Sequence, residues 1–395
     1  MTGKSGKLLL ATATLYSAAV CACTSWVVHP SRAEGGRMLL QKCRDSQPTV
    51  LDAEIRSTPG GVRWMRIGAN GGAMFAMNAH GVAVTVNTGN KLVGAGILRK
   101  GKREPKPLFD RIMEECSRAE QGVAIIERHF RNPAGIYIIA DPKRAFLTEA
   151  GAGYGAHLEL TGGIFVTANE MHLPGVDEFN TSTANAVMRQ RAREANARRS
   201  LRETRDANGR YTRAGMFRTS RNVTGERNAE QNVFRKHSLG GCCFEPDAEF
   251  PAELSTAYIA IGPQLHSIYL PTPMALEQFP DKIRNGTWGE NAKLLFRLLG
   301  NVNPHLEKIT ELEIRMLREY DSVRDAARQL LRDGKREEAV ALLNACYARQ
   351  FSAADELMGK IRRDAERKLD GNAVGSVPPR NTALNQPEQK ELLAK

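Results

Sequence analysis

The distribution of short apolar runs and longer amphipathic stretches predicts an α+β fold with a helical extension towards the C-terminus. Three observations carry this. From Thr24 to about Ile139, short apolar segments are broken by Gly, Asn and Pro, which is the punctuation of strands and turns. Strands and helices come in runs and do not alternate one by one, which argues against a doubly wound parallel sheet. Beyond Trp288 the apolar residues recur at helical spacing almost throughout.

In chain order, SWVVHP, GRMLLQKC, GVRWMRIG, GAMFAMN and GVAVTVN are expected strands. PLFDRIMEECSRAEQGVAIIERH has apolar residues three and four apart and is an expected helical interval. The segments GIYIIAD, RAFLTEA, HLELTG and GIFVTAN return to strand patterning, and the Arg-rich stretch from Arg189 to Arg205 is helical again. HSLGGCCFE and STAYIAIG add two more strands. LEKITELEIRMLREYDSVRDAARQLLRD and REEAVALLNACYARQFSAADELMGKIRRDAERKL then flank a break at Gly334, so a helical hairpin docked on the core is expected. The division that follows is a leader at 1–22, a main domain at 23–280, a helical extension at 281–370 and a disordered tail at 371–395, rich in Pro, Asn and Gln.

The leader is set apart by its chemistry. Lys4 and Lys7 precede the uncharged run LLLATATLYSAAV, and small residues continue to Ala22, the layout of a secretory signal. The run is short for a membrane span, and no other segment approaches the roughly 20 apolar residues that a spanning helix needs. An exported protein, periplasmic or extracellular, is expected. With 42% hydrophobic and 25% charged residues the rest has a globular composition. Seven cysteines show no metal-ligand spacing, and Cys242 beside Cys243 suits neither zinc nor an easy mutual disulfide. One or two bridges elsewhere stay open. The net charge of +12 raises nucleic acid as a partner. The Arg-rich helix, however, lacks interleaved aromatics, so a solvated face is the simpler account. No cofactor or metal is expected.

Cleavage after Ala22 would leave Cys23 as the first residue. An N-terminal cysteine carries a thiol nucleophile and an α-amine whose reference pKa of ~7.7 lets it act as a base near neutrality. Attack on an amide carbonyl, proton transfer to the leaving nitrogen and hydrolysis of the thioester would follow. With an amine as acceptor the same site would be an acyltransferase. A cysteine at such a cleavage site can also be the lipidated residue of an envelope lipoprotein.

The residues after the cleavage site bear on that choice. CTSWVVHPSRAEGGRMLLQKCRDSQ resembles the opening of N-terminal-nucleophile (Ntn) cysteine hydrolases of the choloylglycine hydrolase, penicillin acylase and isopenicillin-N acyltransferase-like type. There Cys-Thr begins the first strand, and a second strand ends in a basic-Asn-x-Asp sequence. Lys42, Cys43, Arg44 and Asp45 stand in that place, with Lys for the usual Arg and Cys for the Asn. The resemblance implies that Asp45 orients the Cys23 amine. MNAHGVAVTVN resembles a family segment ending at an oxyanion-donating Asn, which implies Asn87, with Asn78 as the alternative. YIIADPKRAFLTEAGAGYGAHLELTGGIFVTANEMHLPG resembles the passage in which an Asn after a strand faces the nucleophile, which implies Asn169. A late family arginine has candidates in Arg213, Arg218 and Arg221, of which Arg221 is taken. The resemblance runs from Cys23 to about Pro271 and implies a four-layer αββα sandwich, a linear-amide hydrolase activity and a small-molecule amide or short-peptide substrate.

Other nucleophile motifs are missing. G-x-S-x-G and G-x-x-x-x-G-K-[ST] do not occur, and His80, His129, His172, His237 and His266 have no supporting motif for a papain-like site. Substrate identity stays open among bile-salt conjugates, penicillin-like amides, N-acyl amino acids and short peptides. A dipeptidase on the same scaffold, and a non-catalytic envelope or basic surface-binding module, are the competing functions.

Overall fold

The computed structural model describes residues 23–45, 49–89, 106–128, 134–151, 154–175, 182–223 and 231–372. The expected leader lies outside the described residues, as does the expected tail apart from Gly371 and Asn372, which continue the last helix and are not disordered.

In chain order the strands are β1 (Thr24–Val28), β2 (Leu39–Asp45), β3 (Asp52–Ser57), β4 (Arg63–Ala69), β5 (Gly72–Asn78), β6 (Ala83–Thr88), β7 (Gly135–Ala140), β8 (Ala145–Gly151), β9 (Tyr154–Glu159), β10 (Ile164–Thr167), β11 (Ser238–Glu245), β12 (Thr256–Ile261) and β13 (Leu270–Pro273). Among the described residues they form two antiparallel sheets. One has the order β10-β1-β2-β11-β12-β13, and the other runs β3 to β9 in sequence. β3 escapes the apolar pattern because it is an edge strand with one buried residue, Ala53, among partly exposed neighbours.

Side chains alternate along a strand, and this sorts the residues into layers. Val27 of β1 and Leu40 of β2 point between the sheets, where Met65, Phe75, Ile136 and Ile138 of the second sheet meet them. Trp26, Val28 and Leu39 point the other way, against Ala197 and Leu201 of a helix at Ala184–Glu203 and Met216 and Phe217 of one at Arg213–Ser220. On the far face of the second sheet, Trp64, Val84 and Tyr137 pack under α1 (Leu108–Glu115) and α2 (Ala119–Glu127) through Phe109, Ile112 and Val123. The layer order is therefore helix, sheet, sheet, helix, the αββα arrangement that the resemblance implies. The helical interval between β6 and β7 is two helices and not one. The backbone amides of Ser117 and Arg118 donate to the Gln121 side-chain oxygen, at 2.7 and 3.0 Å, and this restarts the helix.

The remaining helices are α3 (Ala184–Glu203), α4 (Arg213–Ser220), α5 (Pro251–Leu254), α6 (Asp281–Arg284), α7 (Thr287–Leu299), α8 (Leu306–Arg332) and α9 (Arg336–Asn372). α8 and α9 form the expected hairpin, broken where Gly334 takes a φ of 74°. Met316, Tyr347, Ala354 and Met358 of this hairpin belong to the same buried cluster as the inter-sheet residues, so extension and sandwich share a core. Polar groups fix its register. Arg324 and Arg328 both bind Asp247, at 3.0 and 2.5 Å, Arg328 and Arg332 both bind Glu249, at 3.0 and 2.8 Å, and Arg324 also pairs with Glu245. Three of the five α8 arginines are thus engaged in intramolecular pairing. Among the described residues no helix is long and apolar enough to cross a membrane.

Candidate active site

Cys23 directly precedes β1, and register shows what surrounds it. β1 pairs with β2 so that Thr24 faces Cys43 and Ser25 faces Lys42, and one step back sets Cys23 opposite Arg44. β1 pairs with β10 so that Ser25 faces Thr167, and two steps back set Cys23 opposite Asn169. Residues opposite one another share a face in an antiparallel pair. Cys23, Ser25, Lys42 and Arg44 therefore converge on the inner side of the first sheet. The second sheet answers with Asn87 of β6. Its carbonyl accepts from the Ser25 hydroxyl at 2.8 Å and from the Lys42 ammonium, and its amide donates to the carbonyls of Thr167 and Ala168 at 3.3 and 2.5 Å.

The thiol is fully buried, and burial alone would push its pKa up. Lys42 and Arg44 overcome this. The Arg44 guanidinium donates to Sγ at 3.3 Å, Lys42 is hydrogen-bonded to it, and the pKa falls from the usual 9.0 to about 7. The two cations thus favour the thiolate. The sulfur also lies 3.8 Å from the Asp45 carbonyl oxygen. Lys42 is itself pulled down to about 8, by burial and by Arg44, against the opposing attraction of Cys23.

All six cysteines among the described residues are free and buried. The other five lack a pair of adjoining cations, and burial raises every one: Cys346 to about 11, Cys116 to about 12, and Cys43, Cys242 and Cys243 further still.

The carboxylate of Asp45, at the end of β2, accepts from Ser238 at 2.6 Å and from both Nε and Nη2 of Arg235, at 3.2 and 2.5 Å. Arg235 was not legible as a site residue. It lies just ahead of β11, which pairs with β2 and faces Ser238 to Asp45, and a cation leading into a strand is the one signal that it gives. Arg221, the arginine taken from sequence, is placed elsewhere: it is clamped by Glu313 of α8 at 2.6 Å and donates to the carbonyls of Gln264 and Ser267. Arg213 binds Glu34 and Asp321. Asn78 has its amide on the carbonyls of Met113 and Cys116 and its oxygen on the turn amides of His80 and Val82, which makes it a turn residue that anchors α1. Asn169 donates to the Thr88 carbonyl at 2.6 Å. The structure thus brings Cys23, Asp45, Asn87 and Asn169 to one end of the sandwich, and adds Lys42, Arg44 and Arg235.

No family model and no curated relative matches the sequence. Solved structures do match. An N-acylethanolamine-hydrolyzing acid amidase ortholog from Caenorhabditis elegans aligns with a TM-score of 0.42 and 13% identity, over 58% of this chain and 95% of that one. Two variants of conjugated bile acid hydrolase from Clostridium perfringens align with TM-scores of 0.38 and 0.33, each at 10% identity, over 60% and 62% of this chain and 88% and 92% of theirs. At such identity the likeness assigns no chemistry to any residue here.

Proposed function

We propose that the protein hydrolyses linear amide C–N bonds with Cys23 as the nucleophile, through a thioester acyl-enzyme. The observation that carries this is geometric: among the described cysteines, Cys23 alone has its sulfur against two cations, the Arg44 guanidinium at 3.3 Å and the hydrogen-bonded Lys42 ammonium, and their charge lowers its pKa against burial. The thiolate attacks the amide carbonyl, the C–N bond breaks as the leaving nitrogen takes a proton, and water then displaces the sulfur to release the acid and restore the thiol. Arg44 and Lys42 stabilise the sulfur anion before attack and after deacylation.

Export fits the same chemistry. Removal of the leader after Ala22 would free the Cys23 α-amine as a second base, beside a strand end where Arg235 and Ser238 hold the Asp45 carboxylate in place. In this reading 23–280 carries the catalytic sandwich and 281–370 buttresses it.

An electrophilic amide or lactone probe followed by mass spectrometry of the full chain should mark Cys23, and a small amide panel should be hydrolysed by the native chain and not by Cys23→Ala. Equal turnover by both proteins sinks the proposal. N-terminal sequencing should begin at Cys23, and a lipidated Cys23 would favour the envelope lipoprotein.

A further inference from the structure

Lys42 is an unusual choice for the place it occupies. It is 0% exposed, on the inner face of a central strand, and a lysine is almost never wholly buried without a carboxylate. Its hydrogen-bond partners are the Asn87 carbonyl and the Cys23 sulfur. The nearest carboxylate along its strand, Asp45, is committed to Arg235 and Ser238. The charged and titratable groups around it are Cys23 ahead of β1, Cys43 and Arg44 on β2 itself, and Cys242, its cross-strand partner on β11, while β6 presents the neutral Asn87. Cys243 and Cys43 point to the opposite face. Among the described residues, the anion placed to balance this ammonium is the Cys23 thiolate.

We propose that Lys42 is the proton carrier of the reaction, giving its ammonium proton to the leaving nitrogen and recovering one from the water that opens the thioester. The proposal deepens the amide-hydrolase reading of Cys23 and rests on it.

In the resting pair the proton sits on nitrogen and the negative charge on sulfur. Sulfur attack forms the C–S bond, opens the C=O π bond and moves that charge to the carbonyl oxygen, so the sulfur no longer balances the lysine, and the oxygen's charge is used up when C=O re-forms and expels the nitrogen. Loss of its proton is then favourable at the moment when the leaving nitrogen needs one. The C–N bond breaks, the amine product departs neutral, and Lys42 is a free base beside the thioester. It takes a proton from the incoming water as the C–O bond forms and the C–S bond breaks. The acid leaves, and the ammonium–thiolate pair is restored with every proton accounted for. Arg44 can supply the charge but not the proton, because a guanidinium does not deprotonate in the working range. The Asn87 carbonyl, fixed by its amide on Thr167 and Ala168, holds the ammonium in reach of the sulfur. The values near 7 and 8 for Cys23 and Lys42 describe two titrations of one coupled pair.

The pair can be separated with Lys42→Arg, which keeps the charge and loses the exchangeable proton. In the full chain, the pH dependence of Cys23 alkylation by iodoacetamide should keep its low midpoint in Lys42→Arg and move upward in Lys42→Met. Amide turnover by Lys42→Arg should fall by ~10²-fold or more, and the high-pH limb near 8 should vanish. Lys42→Arg turning over at the native rate with the same limb would overturn the assignment and give the proton to another group, such as the Cys23 α-amine. Amide hydrolysis by Cys23→Ala at the native rate would be the separate failure, that of the nucleophile itself.

Discussion

Cys23 and Cys43 lie on neighbouring chain segments of one sheet, a single residue apart in register, and their chemistry is opposite. Cys23 points between the sheets towards Lys42 and Arg44 and is held near a pKa of 7. Cys43 points outward into the layer of Trp26, Val166 and Met216, and burial and the nearby Asp45 charge drive its pKa far up. Both are fully buried, so burial does not decide reactivity. The face of the strand does: a period of two places cations with one thiol and indole and thioether with the other.

The largest effect expected from this contrast is on turnover. Cys23→Ala should lower amide hydrolysis by about 10³-fold or more, while Cys43→Ala should leave probe labelling at Cys23 unchanged. Next comes the support beneath the site. Arg235→Leu strands the Asp45 carboxylate in a buried position and should cost about 3–5 kcal/mol in urea unfolding. A loss below ~1 kcal/mol would mean that Asp45 finds water or another donor.

The acid limb of stability is a test of the outer layer. Glu245, held by Arg324, Arg213 and Arg37 against the cost of burial, titrates at about 2. Its folded pKa lies below the unfolded value of ~4.3, so its stabilisation is complete above that value and is lost as pH falls through about 2. Chemical unfolding between pH 5 and 2 should show this decline, and Glu245→Gln should flatten it.

Arg44→Met sharpens the comparison directly. With one cation gone, the midpoint of Cys23 alkylation should rise by ~1–2 pH units, and no rise would leave Lys42 as the whole cause. The smallest effect is that of Cys43→Ala on stability, about 1–2 kcal/mol from lost packing.

How much of this could be read beforehand follows from how far apart the interacting residues lie. The α+β class and the αββα layering were legible, because strand and helix periods are local and the family likeness extends over most of the sandwich. Cys23, Asp45, Asn87 and Asn169 were also legible as candidates, and they do gather at one end. What was missed depends on pairing. Arg44 meets Cys23 only through the β1–β2 register, and Arg235 meets Asp45 across 190 positions of chain. Arg221 offered the same residue type at a similar distance, and nothing local told it from Arg235. Asn87 was expected to offer its amide to an oxyanion. Instead the amide is spent on two β10-side carbonyls and the side-chain oxygen holds Lys42, a division of labour that sequence does not show.

The arginine rungs that seat α8 are not equal. The Arg324 side chain is 1% exposed, that of Arg328 17% and that of Arg332 52%, so dissolved salt reaches them in that order reversed. The contact is a zipper whose outer end, closed by Arg336 on Glu253 at 2.7 Å, is the more exposed one. Rising ionic strength should loosen it from the Gly334 turn inward, and amide exchange at the hairpin tip would quicken long before the root beneath Glu245 gives way. The hairpin can breathe at its tip while the sheet that carries Cys23 stays still.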